Sequence, residues 1–314
     1  MTEKKTCLEN ILNNLARRIP KLDSDLLRAG LITSGLFLSG CVATENPVIS
    51  QPRIIAPNDL NKENLDQLLK SVYKIKVQST VKETFLDLRA NVLGSIDSQK
   101  VSYGSCFAFG KDQGRNMIYF ATAEHCLPDR EITEEKLYIG GLVRGVKEVS
   151  KVKIYIVSGN GEEMVLGELS EVARDDSSDL AILRGNEKNS FFYYSKFIDP
   201  LQSFPGQEVY SVGFPHNTQN WEKQLTKGII TNVNPASKIS GGNKIMMTEA
   251  VLDYGMSGGP SFIIHDGNPE ILGVNSKIYT NLKNKFGISS GLVELIEKEK
   301  LSYLIEIHRS EVKK

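Results

Sequence analysis

The chain has 314 residues, 40% of them hydrophobic and 24% charged, which excludes a wholly disordered polypeptide and suits one that buries a sizeable core. Its 38 Lys and Arg balance 38 Asp and Glu, and no basic run is interleaved with aromatic residues, so a nucleic-acid partner is not expected. Four histidines and four cysteines leave few candidates for acid–base, nucleophilic or metal chemistry.

Residues 29–41, AGLITSGLFLSGC, are apolar and follow Arg17, Arg18, Lys21 and Arg28. This stretch is short of the about 20 apolar residues that cross a bilayer. A basic flank before a short apolar core and small residues at its end predict a secretory signal segment. Its close, Leu38-Ser39-Gly40-Cys41, resembles the bacterial lipobox, in which the cysteine is lipidated and becomes the mature N-terminus. The resemblance implies a signal segment over 1–40, a lipid on Cys41 and an extracytoplasmic, membrane-anchored protein; several acyl chains hold where one would not. Residues 41–57, punctuated by Pro47, Pro52 and Pro57, read as a tether. Residues 1–28, with Asp23 and Asp25, form a long lead for such a signal, and a buried helix over 29–40 with a chance cysteine is the competing reading. Removal of Cys7 and lipidation of Cys41 leave Cys106 and Cys126, and an even remainder in an exported chain favours a disulfide.

Residues 58–72, NDLNKENLDQLLKSV, place Leu65, Leu68, Leu69 and Val72 at helical spacing behind an Asn/Asp start and predict a short amphipathic helix. From about Lys74 to Lys283 short β-like runs alternate with turn residues: SCFAF, MIYFATA, KLYIGG, KVKIYIVSG, EMVLGEL, LAILR, EVYSVGF, QLTKGIITNV, KIMMTEAVL, PSFII and ILGVNSKIY. With almost no helical periodicity among them, they predict an all-β barrel or sandwich architecture. Strand character lapses over 185–206 and splits the region into two halves. The segment SGLVELIEKEKLSYLIEI carries apolar residues at helical spacing and predicts a closing helix. The expected organisation is a helix and first β half over 58–195, a second half over 196–285 and a terminal helix over 286–314.

Residues 254–262, YGMSGGPSF, set Ser257 among glycines. Glycines serve ordinary turns, and they also leave backbone N–H groups free to face an oxyanion beside a nucleophilic hydroxyl. A serine needs a base, normally a histidine oriented by a buried carboxylate. Of His125, His216, His265 and His308, His125 alone ends a strongly apolar β run and meets a short turn, in FATAEHCLP. Asp179 opens the apolar run DLAILR and is expected to enter the interior, whereas Asp175 and Asp176 are expected to be solvated. Singly, each residue has an ordinary structural explanation; jointly, in the order His, Asp, Ser, they point to nucleophilic catalysis.

TAEHC resembles the TAAHC motif, DLAIL the aspartate motif and GMSGGP the GDSGGP motif of trypsin-like (chymotrypsin-fold) serine proteases, over roughly residues 70–298. Within that family TEAVLDYGMSGGPSF, KSVYKIKV, YGSCFAFG, QLTKGIITNV and ILGVNSKI are most similar to the HtrA (Deg) branch. The resemblance implies two six-stranded antiparallel β-barrels and a serine endopeptidase in which His125 is base then acid, Asp179 its orienter and Ser257 the nucleophile. The N–H groups of Gly255 and Ser257 would form the oxyanion hole, and no cofactor is implied.

The chain departs from the family's pattern in three places. Met256 stands where digestive-type members have the acid that captures a newly cut N-terminus, so competence without clipping is expected. About 30 residues follow the β region, so substrate recognition through the PDZ domain usual in the HtrA branch is not expected. Cys126 matches the disulfide position of digestive-type members, but Cys106 lies a residue or two off the register of its expected partner; the bond is still expected, and zinc ligation by His125 and these thiols lacks paired spacing. The family's pocket floor falls on Val251, which argues against Lys or Arg and for small or medium apolar side chains. Asn275 and Ser276 would align a polypeptide substrate as an added strand. Residues 255–259 also spell G-x-S-x-G, but Pro260 and a β-like run follow rather than a helix, against an α/β-hydrolase elbow. A catalytically silent lipoprotein that uses the fold to bind a partner is the alternative from another class.

Overall fold

A computed structural model describes residues 60–86, 92–112, 114–129, 131–132, 144–158, 163–216, 222–234, 245–280, 289–296 and 298–311. The signal segment, Cys41, the tether and the run KLYIGG lie outside the described residues. Helix α1 spans Lys62–Lys70 and opens where the Asn61 side chain accepts from the Asn64 N–H at 3.1 Å. Leu68 is fully buried, and Leu65 and Leu69 pack against the same core. Val72, expected on this helix, instead begins the first strand.

Thirteen strands follow among the described residues. The first sheet contains β1 (Val72–Leu86), β2 (Val92–Asp112), β3 (Met117–Ala123), β4 (Glu131–Ile132), β5 (Arg144–Val157), β6 (Val165–Asp175) and β7 (Leu180–Asn186). Its order is β1-β2-β3-β7-β6-β5-β4, and β5 also pairs with β1. The second sheet is a closed barrel of six strands, β8 (Glu208–Gly213), β9 (Gln224–Asn234), β10 (Ile245–Thr248), β11 (Pro260–His265), β12 (Asn268–Thr280) and β13 (Ser289–Leu295). The all-β architecture is as expected, with β4 as a seventh strand in the first sheet. Residues 187–207 form the connection between the sheets, with 3₁₀ turns at Glu187–Asn189 and Pro200–Gln202.

By Cα packing the chain falls into two compact units. The smaller includes Ser79–Lys100 and Asp129–Val152, where Glu131 pairs with Glu148 and Ile132 with Lys147. The larger holds both helices, the second barrel and the segments carrying His125, Asp179 and Ser257.

The terminal segment corrects its expected helix. Ser289–Leu295 is a strand, and only Lys298–Glu311 (α2) is helical. A short apolar run reads alike as a buried strand and as a helix. Val293 and Leu295 enter the second barrel's core and Leu292, just before them in sequence, is also buried, while a Cβ at Gly291 would fall 2.6 Å from Leu252 Cδ1.

Two clusters make up the interior. One contains Phe107, Phe120, Leu183, Val212, Phe262 and Leu301; the other fills the second barrel with Val209, Ile230, Met246, Ile263, Leu272 and Val293. Phe262 is fully buried and stacks on Tyr210, with ring centroids 5.4 Å apart at 17°. Phe262→Ala is expected to lower unfolding free energy by about 3–5 kcal/mol, the range for truncating a core aromatic. Urea unfolding followed by circular dichroism measures this; a loss below about 1 kcal/mol would deny Phe262 its place in the core.

Candidate active site

His125 and Asp179 meet because of strand register. In the β3–β7 ladder Ala123 pairs with Leu180, so the residues just beyond the end of β3 and just before β7 emerge at the same edge. The Glu124 N–H donates to the Asp179 carbonyl at 3.0 Å and extends the ladder by one bond. His125 lies in the 3₁₀ turn Glu124–Cys126, and Asp179 closes the turn Asp176–Ser178 with φ 44° and ψ 42°. That left-handed conformation costs a non-glycine residue about 1–2 kcal/mol, so its surroundings must enforce it.

The Asp179 carboxylate is almost fully buried, with 8% of its side chain exposed, whereas the His125 ring is 36% exposed. It accepts from the His125 backbone N–H at 2.9 Å, from His125 Nδ1 at 2.9 and 2.8 Å to its two oxygens, and from the Ser276 hydroxyl. Burial pushes this carboxyl's pKa up, but the His125 ring and the Ser276 and His125 backbone donors outweigh that and hold it below the usual carboxylate value. A carboxylate against Nδ1 keeps the neutral imidazole's proton on that nitrogen and leaves Nε2 as the basic atom. Behind the turn the Arg174 guanidinium donates to Glu124 (2.9 Å), the Pro128 carbonyl (2.9 Å) and Glu171 (2.8 Å), tying down both sides of the histidine.

Ser257 lies in a loop whose shape demands glycine. Gly255 and Gly258 have φ of 95° and 88°; a Cβ at the first would fall 2.4 Å from the Phe214 carbonyl oxygen and at the second 2.0 Å from that of Ser105. Met256, 1% exposed, anchors the loop from below. The Tyr254 carbonyl accepts from the His216 N–H (2.6 Å) and the Gly255 carbonyl from the Ser105 hydroxyl (2.7 Å), which itself accepts from the Phe214 N–H (2.9 Å). With these carbonyls tied back, the Gly255 and Ser257 N–H groups have no acceptor among the described residues. The Ser257 hydroxyl donates to the Ser276 carbonyl at 2.9 Å, and no hydrogen bond joins it to His125.

Other expectations need correction. Asn275 is fully buried and saturated: its side chain bonds Ser261, Val212 and Met256, its N–H the Gly259 carbonyl and its carbonyl the Gly258 N–H. It braces the loop and has no backbone group to offer a substrate strand. Val251 is 57% exposed, which is not the setting of a closed pocket floor. Asp175 is not solvated but bonded to Lys300, Ser177 and Ser178. Ser105, Phe214 and His216 had no local signal, because their roles come from backbone groups of other elements.

The expected disulfide is absent: Cys106 and Cys126 are both free and buried. Cys126 Sγ turns to the Ser257 carbonyl oxygen at 3.5 Å. Burial raises Cys126's pKa to about 12 and Cys106's well above its usual value, so neither is a thiolate near neutrality. Iodoacetamide at pH 8 is expected to leave both unmodified in the native protein and to alkylate both in urea without reductant, read by peptide mass. Resistance in urea would restore the disulfide.

The trypsin-like peptidase domain model matches residues 104–274. A probable periplasmic serine endoprotease DegP-like of Bartonella henselae is 28% identical over 135 residues, 43% of this chain and 25% of that protein. A protein of the same description from Rhizobium meliloti is 26% identical over 151 residues, 48% of this chain and 28% of its own length. The chain thus spans about a quarter of the curated relatives it matches. Among solved structures, an HtrA-type protease AlgW with decapeptide aligns at TM-score 0.48 and 15% identity, covering 80% of this chain and 67% of that one. The family match takes in more than half of the sequence and contains the segments that bring His125 and Asp179 together, and the chain belongs to the trypsin-like peptidase domain family.

Proposed function

We propose that the protein is a serine endopeptidase that hydrolyses peptide bonds through an acyl-enzyme on Ser257. The observation that carries this reading is the buried Asp179 carboxylate against His125 Nδ1, which leaves Nε2 as a base on the exposed side of the ring. In the first step the Ser257 hydroxyl leaves the Ser276 carbonyl, passes its proton to Nε2 and attacks the scissile carbonyl carbon. Asp179 stabilises the imidazolium that forms, and the Gly255 and Ser257 N–H groups receive the oxyanion. His125 then protonates the departing amine, and water, activated by the same nitrogen, releases the acyl group.

The substrate is a polypeptide bound as an extended strand. Beyond Val274, β12 has no pairing with β11, and among the described residues Ser276–Thr280 pairs only towards β13. That free edge suits β-addition, with Ser276 rather than Asn275 as the contact. The DegP-like relatives carry a periplasmic description, and with the lipobox-like LSGC this favours a place in the cell envelope, anchored through Cys41 on its extracytoplasmic side.

A fluorophosphonate probe is expected to label Ser257, and Ser257→Ala to abolish labelling and lower turnover by about 10⁶-fold, as for loss of a triad serine. Asp179→Asn is expected to cost about 10⁴-fold. A folded wild type that takes no label would favour the silent binding role. Separately, intact mass of the protein from a bacterial membrane is expected to show an N-terminus at acylated Cys41; retention of residues 1–40 would refute the anchor.

A further inference from the structure

Asp179 holds a left-handed backbone that something must enforce, and part of that enforcement comes from the far end of the chain. Asp175 caps the turn before it: one oxygen accepts from the Ser177 N–H (3.1 Å) and hydroxyl (2.5 Å), the other from the Ser178 hydroxyl (2.6 Å). Lys300, in the first turn of α2, closes the arrangement by donating to the same Asp175 oxygen at 2.8 Å and to Ser178 Oγ at 2.6 Å. Ser178 is buried and directly precedes Asp179. The ammonium is held in place because its neighbour Leu301 and Ile305, one turn further on, are sunk in the core. Burial pushes the Asp175 carboxyl up in pKa, but Lys300 and the two serines hold it far below the usual carboxylate range, so the ion pair is intact at neutral pH.

We propose that Lys300 is a positioning residue for the hydrolytic reaction: the terminal helix sets the Asp179 turn, and through it the angle at which the carboxylate meets His125 Nδ1. This rests on the peptidase reading above. Lys300 touches neither substrate nor the reacting atoms, and it acts through Ser178 and Asp175. The pair is mostly buried, with 28% and 22% of the two side chains accessible, and its loss is expected to lower stability somewhat as well. A displaced catalytic group, by contrast, is costly in rate: a misplacement of about 1 Å can cost about 10²-fold. The two roles therefore separate in measurement.

The experiment is fluorophosphonate inactivation of the full chain, resolved into the rate at saturation and the probe concentration for half-saturation, with melting followed alongside. Lys300→Met is expected to lower the saturating rate about tenfold, within the range for a displaced catalytic group, with half-saturation little changed and melting still cooperative at a somewhat lower temperature. Lys300→Arg, which keeps the charge and reach, is expected to recover most of the rate. If Lys300→Met fails to melt cooperatively, Asp175→Asn decides, and the same tenfold loss is expected from it. A folded variant that reacts at the wild-type rate would overturn the proposal while leaving the peptidase reading intact. An unlabelled wild type would overturn both.

Discussion

The buried carboxylate of Asp179 is the constraint around which the site is arranged. A desolvated charge is tolerated only where donors surround it. Here those donors come from one histidine twice, through its backbone N–H and Nδ1, and from Ser276 on β12. The same bonds that satisfy the carboxylate therefore orient the ring and tie the His–Asp turn to the barrel that carries Ser257. Strand pairing sets this up, because the register of the β3–β7 ladder delivers both residues to one edge.

The Ser257 loop solves a different problem, which is to turn N–H groups outward while burying what lies beneath. Its glycines admit the Phe214 and Ser105 carbonyls at distances no Cβ would allow. Its own carbonyls at Tyr254 and Gly255 are drawn back by His216 and Ser105. Beneath it, Met256 replaces an ionised side chain with an apolar anchor, and Asn275 supplies the polar bracing from a fully buried position. The loop thus takes its shape from packing and backbone bonds.

Charges near the proposed triad are paired at its margins. Arg174 bridges Glu124 and Glu171, and Lys300 bridges Asp175 and Ser178, so each flank of the His–Asp couple is tied to a strand or helix rooted in the core. The thiol of Cys126, close beneath the serine, stays neutral and packs as a small apolar group with a weak donor.

The amino-acid sequence alone determined the all-β class and the helix behind Asn61 and pointed to His125, Asp179 and Ser257 as the residues proposed for catalysis, because each is written in local residues: periodicity, a capping side chain, a glycine-rich turn, an acid at the mouth of an apolar run. What only the tertiary structure decided depends on partners distant in the chain. The run around Leu292 could satisfy a helix or a strand until the barrel offered it Thr248 and Asn275 as neighbours. Asp175 looked solvated until α2 brought Lys300 to it, and Asn275 looked like a substrate contact until Ser261, Val212 and Met256 took up its bonds. Two cysteines of the right number stayed apart as thiols because pairing depends on register and side-chain direction in space, which counting cannot supply.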